Sequence, residues 1–171
     1  MESSNPQDDD KTKNKRQEWS KTLRQYHIYL DKYNHDPRIA DLFTPDGIFI
    51  LKGANFNTES KGHDEIAKAF KDIKDVTVQC THLLGNKSFK DNKVYHTVMA
   101  IEEKKDGTIF HCTGKYIIEM EKDSDKIKYL EINVLLFYEI KDNDKKVAQQ
   151  WLFDTHNGNY AWFDEKDELN Y

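Results

Sequence analysis

The run Lys93-Val-Tyr-His-Thr-Val-Met-Ala-Ile-Glu-Glu103, Lys104-Lys-Asp-Gly107, Thr108-Ile-Phe-His-Cys-Thr-Gly-Lys-Tyr-Ile-Ile-Glu-Met-Glu121 carries two long segments of period two around four polar residues. That pattern predicts two strands, Lys93–Glu103 and Thr108–Glu121, and a connection that short makes them antiparallel neighbours. The same period extends outward. Val76–Phe89 precedes across Lys90-Asp-Asn92, and Ile127–Ile140 follows across Lys122–Lys126, so the centre of the chain predicts a four-stranded meander.

Upstream the period changes. Trp19, Leu23, Tyr26, Leu30 and Tyr33 recur at spacings of three and four, the single apolar stripe of a helix that ends near Asn34. Asp36-Pro37 reads as an N-cap with proline in the first turn of a short helix, Arg38–Phe43. Thr44-Pro-Asp-Gly47 predicts a turn and Ile48–Leu51 a strand. Ile66, Phe70 and Ile73 place a third helix on Gly62–Lys74. The expected fold class is therefore α+β, with N-terminal helices packed on a curved antiparallel sheet.

Three regions are expected. Residues 1–12 are polar and rich in turn formers, a disordered tail. Residues 13–143 form the domain. Residues 144–171 hold Trp151, Phe153, Tyr160, Trp162 and Phe163 and are expected to pack on it, with 148–165 closing the open end of the pocket.

Composition excludes several classes. A chain of 171 residues is long enough to bury a core, and 12% aromatic residues are too many for a disordered one. A net charge of −5, with 26 basic residues interleaved among 31 acidic ones, argues against a nucleic-acid partner. The one basic cluster, Lys11–Arg16, reads as a solvated helix start. No apolar run approaches about 18 residues, so no membrane partner is expected. Without a charged-then-apolar leader, a cytoplasmic location and reduced Cys80 and Cys112 are expected.

Phosphate loops, Gly-x-Ser-x-Gly, Cys-x-x-Cys and His-Glu-x-x-His are absent. What remains is a set of titratable or polar groups on regular elements: Tyr26, Asp31, His82, His96, Glu102, His111, Glu131 and Asn133. His82, His96 and His111 lie on separate strands without ligand spacing, so neither metal nor cofactor is expected.

Tyr26-His-Ile-Tyr-Leu-Asp31, Ile39-Ala-Asp-Leu-Phe-Thr-Pro-Asp-Gly-Ile-Phe49, Gly62-His-Asp-Glu-Ile66, Cys80-Thr-His-Leu-Leu-Gly-Asn86 and Gly114-Lys-Tyr116 together resemble the SnoaL-like superfamily. The resemblance covers roughly residues 20–140. It implies the cone fold of nuclear transport factor 2, with one central pocket, and a homo-oligomer. It also implies chemistry. In scytalone dehydratase, bile-acid dehydratase and hexachlorocyclohexane dehydrochlorinase, a histidine at the position of His82 takes a proton from carbon. In the last two, an aspartate at the position of Asp31 orients it. Tyr26 matches a hydrogen-bonding tyrosine of the bile-acid enzyme, and Asn133 an asparagine of the dehydrochlorinase. Glu102 stands where scytalone dehydratase has a second histidine, although beside Glu103 and Lys104 it reads first as a solvated strand end. Tyr116, in the Gly114-Lys-Tyr motif, joins Asn133 and Glu102 as an expected substrate contact.

The implied function is cofactor-independent dehydration, isomerisation or cyclisation of a small apolar oxygenated molecule, polyketide- or terpenoid-like. His82 is the base, Asp31 its orienter and Tyr26 a donor. The alternative from another class is a non-catalytic small-molecule-binding or assembly module with the same fold. Epoxide hydrolysis by an Asp-Arg-Asp relay is disfavoured, because Arg16, Arg24 and Arg38 all lie in the N-terminal helices.

Overall fold

The computed structural model describes residues 6–85 and 87–157. Helix α1 spans Pro6–Asp31, followed by a 3₁₀ turn over Pro37–Leu42. Strands β1 (Phe43–Gly53) and β2 (Phe56–Lys61) lead into α2 (Gly62–Val76). Strands β3 (Thr77–Leu84), β4 (Ser88–Lys90), β5 (Lys93–Lys104), β6 (Ile109–Met120) and β7 (Ile127–Glu139) follow, and α3 covers Asp142–His156.

The seven strands form one curved, unclosed sheet in the order β2-β1-β7-β6-β5-β3, with β4 on β5. The meander pairs as expected, β3 with β5, β5 with β6 and β6 with β7, all antiparallel. The sheet is nevertheless mixed. β1 runs parallel to β7, Ile48 opposite Tyr129 and Lys52 opposite Asn133, which corrects the all-antiparallel expectation. A short turn can join only antiparallel neighbours, whereas β1 and β7 are separated by α2 and the whole meander.

Local differences have local causes. The strand expected at Ile48–Leu51 begins at Phe43, because Thr44–Gly47 is a kink within β1 where its register to β7 shifts. β2, Phe-Asn-Thr-Glu-Ser-Lys, is almost wholly exposed and carries no alternation to betray it. The segment Val76–Phe89 breaks into β3 and β4. The short helix is 3₁₀, with Asp36 capping the Arg38 N–H at 2.8 Å. α1 begins at Pro6, inside the stretch expected to lack structure, and residues 1–5 lie outside the described region.

Helices α1 and α2 pack on the sheet's concave face. The stripe Trp19, Leu23, Tyr26 and Leu30 is buried, as are Ile66 and Phe70 of α2, against Val94, Val98, Tyr116, Ile118 and Leu130 of the sheet. α1 is pinned near its middle and just beyond its C-terminus. Trp19 Nε1 donates to Ser124 O at 3.1 Å and Thr22 Oγ1 to Asp125 O at 2.8 Å. Beyond its C-terminus, Asn34 Nδ2 donates to Thr77 O at 2.8 Å. These anchors fix the rotation of α1, and with it the inward aim of Asp31.

α3 packs on β3, burying Ala148, Leu152 and Thr155, and its last turn sets His156 Nε2 2.9 Å from Cys80 O. Trp151 is half-buried and Phe153 exposed. Tyr160, Trp162 and Phe163 lie outside the described residues.

Candidate active site

A cavity of about 80 Å³, open on one side, lies between the helices and the concave face of the sheet. Its walls are mostly apolar: Leu30, Phe49, Leu51, Phe70, Ile73, Val98, Ala100, Ile132 and Val134. The polar groups reaching it are Tyr26, His35, His82, Glu102, Cys112 and Tyr116. A few polar groups in an apolar hollow is the usual make-up of a small-molecule site. No residue of α3 lines it, so the closure expected of 148–165 is not supplied by the described part of that segment.

Asp31 and His82 meet as the sequence predicts. His82 Nδ1 lies 2.5 Å from Asp31 Oδ1, and the His82 backbone N–H donates to Asp31 Oδ2 at 3.0 Å. Both residues are buried. The carboxylate therefore holds the ring and its backbone together, fixing the proton of neutral His82 on Nδ1. Nε2 is left as the basic nitrogen for the cavity that His82 lines. Burial alone would depress the imidazole; the charge and hydrogen bond of Asp31, with Glu102 adding, outweigh it and hold His82 above its ordinary value.

Tyr26 and Tyr116 stand against each other edge to face, ring centres 6.4 Å apart. Burial raises both phenols, so both keep their protons; their hydroxyls interact, and among the described residues that of Tyr26 has no hydrogen bond of good geometry. A buried donor without a partner is costly unless something enters to accept it.

Glu102 is in the wall of the cavity and not at a solvated strand end. Its Oε2 accepts from Lys104 Nζ at 2.5 Å, and its Oε1 lies 3.8 Å from His35 Nε2. Burial would raise the carboxyl, but His35 and Lys104 overcome this and lower it. Asn133 is the site expectation that the structure does not bring in. It alternates with Ile132 and Val134, which face the cavity, and so points to the other face of β7. There Asn133 Nδ2 donates to Glu131 Oε1 at 2.6 Å, beside Tyr129 and Lys52. The charge network drives Glu131 to about 2, the Tyr129 hydrogen bond foremost. His111 alternates with Cys112 to the same outer side and stacks on Tyr138.

Three histidines that the sequence did not single out as site residues, or placed otherwise, border the dyad. The His27 ring lies 5.9 Å from those of both His82 and His96, and His96 packs 4.9 Å from Tyr116. Among the described residues neither His27 nor His96 has a hydrogen-bond partner of good geometry for either ring nitrogen. Burial lowers His27 far below its usual value and His96 to about 3. His35 enters the cavity wall through backbone geometry that no hydrophobic period reveals. The available signal for His27 was its place beside Tyr26 in the helix motif.

Among the described residues one set of potential metal ligands gathers within 4.8 Å: Asp31, Cys80 and His82. Cys80 Sγ donates to Leu30 O at 3.1 Å, and burial with the nearby Asp31 charge raises its thiol well above the usual range. All three side chains are already engaged within the protein: Cys80 Sγ with Leu30 O, and Asp31 with both the backbone N–H and Nδ1 of His82.

No protein-family model and no curated protein sequence matches the chain. Solved structures do. An NTF2-like protein from Exiguobacterium sp. aligns with a TM-score of 0.57 at 21% identity, covering 66% of this chain and 97% of that one. Hexachlorocyclohexane dehydrochlorinase LinA type 2 aligns at 0.60 and 14% identity, covering 80% and 94%. The epoxide hydrolase/cyclase-like enzyme SalBIII of salinomycin pyran formation aligns at 0.58 and 13% identity, covering 70% and 92%. The chain thus has the NTF2-like cone fold, the fold its sequence motifs implied. No helix among the described residues is long and apolar enough to cross a membrane.

Proposed function

We propose that the protein catalyses cofactor-independent proton transfer at carbon, leading to dehydration, isomerisation or cyclisation of a small, largely apolar oxygenated molecule. The observation that carries this is the Asp31–His82 pair, 2.5 Å apart and buried at the cavity wall. Neutral His82 accepts a proton from a carbon acid on Nε2. Asp31 then balances the imidazolium without taking the proton itself. The acidity of such a carbon depends on an adjacent carbonyl, whose oxygen gains charge as the proton leaves. The hydroxyls of Tyr26 and Tyr116, in contact with each other, are the donors for that oxygen. The apolar walls exclude water and strengthen each of these interactions. An epoxide-opening relay fits less well, since no arginine lines the cavity.

The partner is accordingly a small molecule. A homo-oligomer remains part of the proposal, supported by the exposed run Leu135, Leu136, Phe137 and Tyr138 of β7.

The reading is tested by solvent deuterium exchange into 4-hydroxybutan-2-one and cyclohexanone, followed by NMR. The native chain exchanges the protons next to the carbonyl faster than buffer does, and His82→Gln loses about 10²–10⁴-fold of that acceleration. Retention of ligand without any enzyme-dependent exchange would instead favour the non-catalytic binding module.

A further inference from the structure

The end of α1 places a second polar group in the cavity wall that the proton transfer does not use. Asn34 and His35 have φ of 49° and 54°, two successive left-handed residues. Side-chain-bearing residues hold that conformation only when their surroundings impose it, and such strain gathers at functional sites. Here the His35 N–H returns to Leu30 O at 2.9 Å and the Asn34 amide is tied to Thr77. The turn swings the His35 ring toward Glu102.

The hydrogens can be placed by elimination. Asn34 Nδ2 donates to Thr77 O, so it is Asn34 Oδ1 that faces His35 Nδ1, at 3.2 Å. The other neighbour of Nδ1 is Cys80 Sγ at 3.8 Å, whose own hydrogen goes to Leu30 O. Acceptors face both ring nitrogens. Asn34 Oδ1 at 3.2 Å is within hydrogen-bond reach of Nδ1, whereas Glu102 Oε1 at 3.8 Å is beyond it for Nε2. Nδ1 therefore carries the ring's hydrogen and Nε2 presents a lone pair. That lone pair faces Glu102 Oε1 at 3.8 Å, while Glu102 Oε2 is occupied by Lys104. Burial lowers His35 to about 4, and Glu102 is lowered as well, so neither supplies a proton to the gap at neutral pH. Two acceptors face each other with no hydrogen between them.

We propose that His35 Nε2 and Glu102 Oε1 form a two-acceptor subsite that takes a hydroxyl group of the substrate. The inference rests on the reading of this cavity as the substrate site, and narrows the substrate to a hydroxylated compound. An ammonium group fits less well, because Lys104 already neutralises Glu102 and no second carboxylate is among the described lining residues. A carbonyl or ether oxygen would meet only lone pairs. Such a site discriminates against an isostere lacking the donor, since its buried acceptors would stay unpaired.

Binding of three probes to the full chain tests this without turnover: cyclohexanone, 4-hydroxycyclohexanone and 4-methylcyclohexanone. The last two differ by an isosteric exchange of hydroxyl for methyl, and neither can lose water toward the carbonyl by simple elimination. The native chain is expected to prefer the hydroxy compound by about tenfold or more. Glu102→Leu abolishes or reverses that preference, and an unchanged circular-dichroism spectrum shows its fold intact. In ¹⁵N spectra His35 Nε2 is expected to be unprotonated and to shift only with the hydroxy probe. The proposal is overturned by equal or tighter binding of the methyl compound, by a preference that survives Glu102→Leu, by a hydrogen on Nε2, or by no binding of any probe. Failure of deuterium exchange, with the hydroxyl preference intact, would sink the catalytic reading and leave this subsite standing.

Discussion

Asp31→Asn is the sharpest probe of the dyad, because it keeps shape and removes charge. In the native chain burial pushes His82 down and Asp31 more than compensates, so the net shift is upward. Without the charge, burial is opposed only by the smaller contribution of Glu102, and the sign of the shift reverses. Each unit of that change corresponds to about 1.4 kcal/mol. Stability responds less than a bare Coulomb sum suggests, since the substitution also removes the cost of burying the carboxylate. What is lost is a hydrogen bond to a charged group, about 1.5–3 kcal/mol, with the carboxamide left to satisfy two former donors, His82 N and Nδ1. For a chain of 171 residues that is roughly a 3–12 °C fall in Tm. NMR titration of His82 in both proteins, with calorimetry alongside, reads both effects. A variant in which His82 still titrates above an ordinary histidine, or whose Tm is unmoved, would refute the argument that Asp31 governs this ring.

Four further outcomes are expected. His27, His35 and His96 stay neutral in the fold, so below about pH 6.5 the unfolded chain binds protons that the folded one does not. Stability therefore falls with pH by up to about 1.4 kcal/mol per unit for each ring, and His96→Phe should flatten urea-derived stability between pH 7.5 and 5 by one proton. His82 works in the other direction: its contribution is complete below about pH 6.5 and is lost as pH rises through its raised value. Thiol reagents should modify Cys112, half-buried in the cavity wall, well before the fully buried Cys80, with mass spectrometry identifying the site. Leu152→Ala should cost about 2–4 kcal/mol in chemical denaturation while leaving probe binding unchanged, because α3 packs on β3 away from the cavity. Phe137→Glu should lower any self-association seen by sedimentation, with only a small fall in Tm from the lost stack on Phe110.

The meander and the two buried helical stripes were legible because one-sided burial imposes a period on the chain, two for β5 and β6, near 3.6 for α1 and α2. β2 was not legible, since an exposed edge strand has no face to bury. The parallel contact of β1 with β7 is set by how the sheet curls and by packing over α2, and no local pattern encodes it. In the site, the motif resemblance singled out Asp31 and His82, which the fold brings within hydrogen-bond reach, and Tyr26, Tyr116 and Glu102 line the cavity beside His82. Asn133 went astray by one residue of alternation, which turns a side chain through the sheet. His35 was invisible because its position follows from two left-handed residues after a helix, a matter of backbone conformation and not of hydropathy.

The parallel seam between β1 and β7 also bears on how the chain is made. Ile48 must wait for Tyr129, about 80 residues later in synthesis. At about 5–20 residues per second, that is a delay of roughly 4–16 s on the ribosome. During it β2 can cover one edge of β1 through their antiparallel hairpin, but the edge destined for β7 stays open. Contacts of such long range also carry the largest loop-closure cost, so this seam is expected among the last to form in refolding. The cavity wall built from Phe49, Leu51, Ile132 and Val134 straddles it. Ligand binding should therefore return with the slowest refolding phase, later than the circular-dichroism signal of the meander.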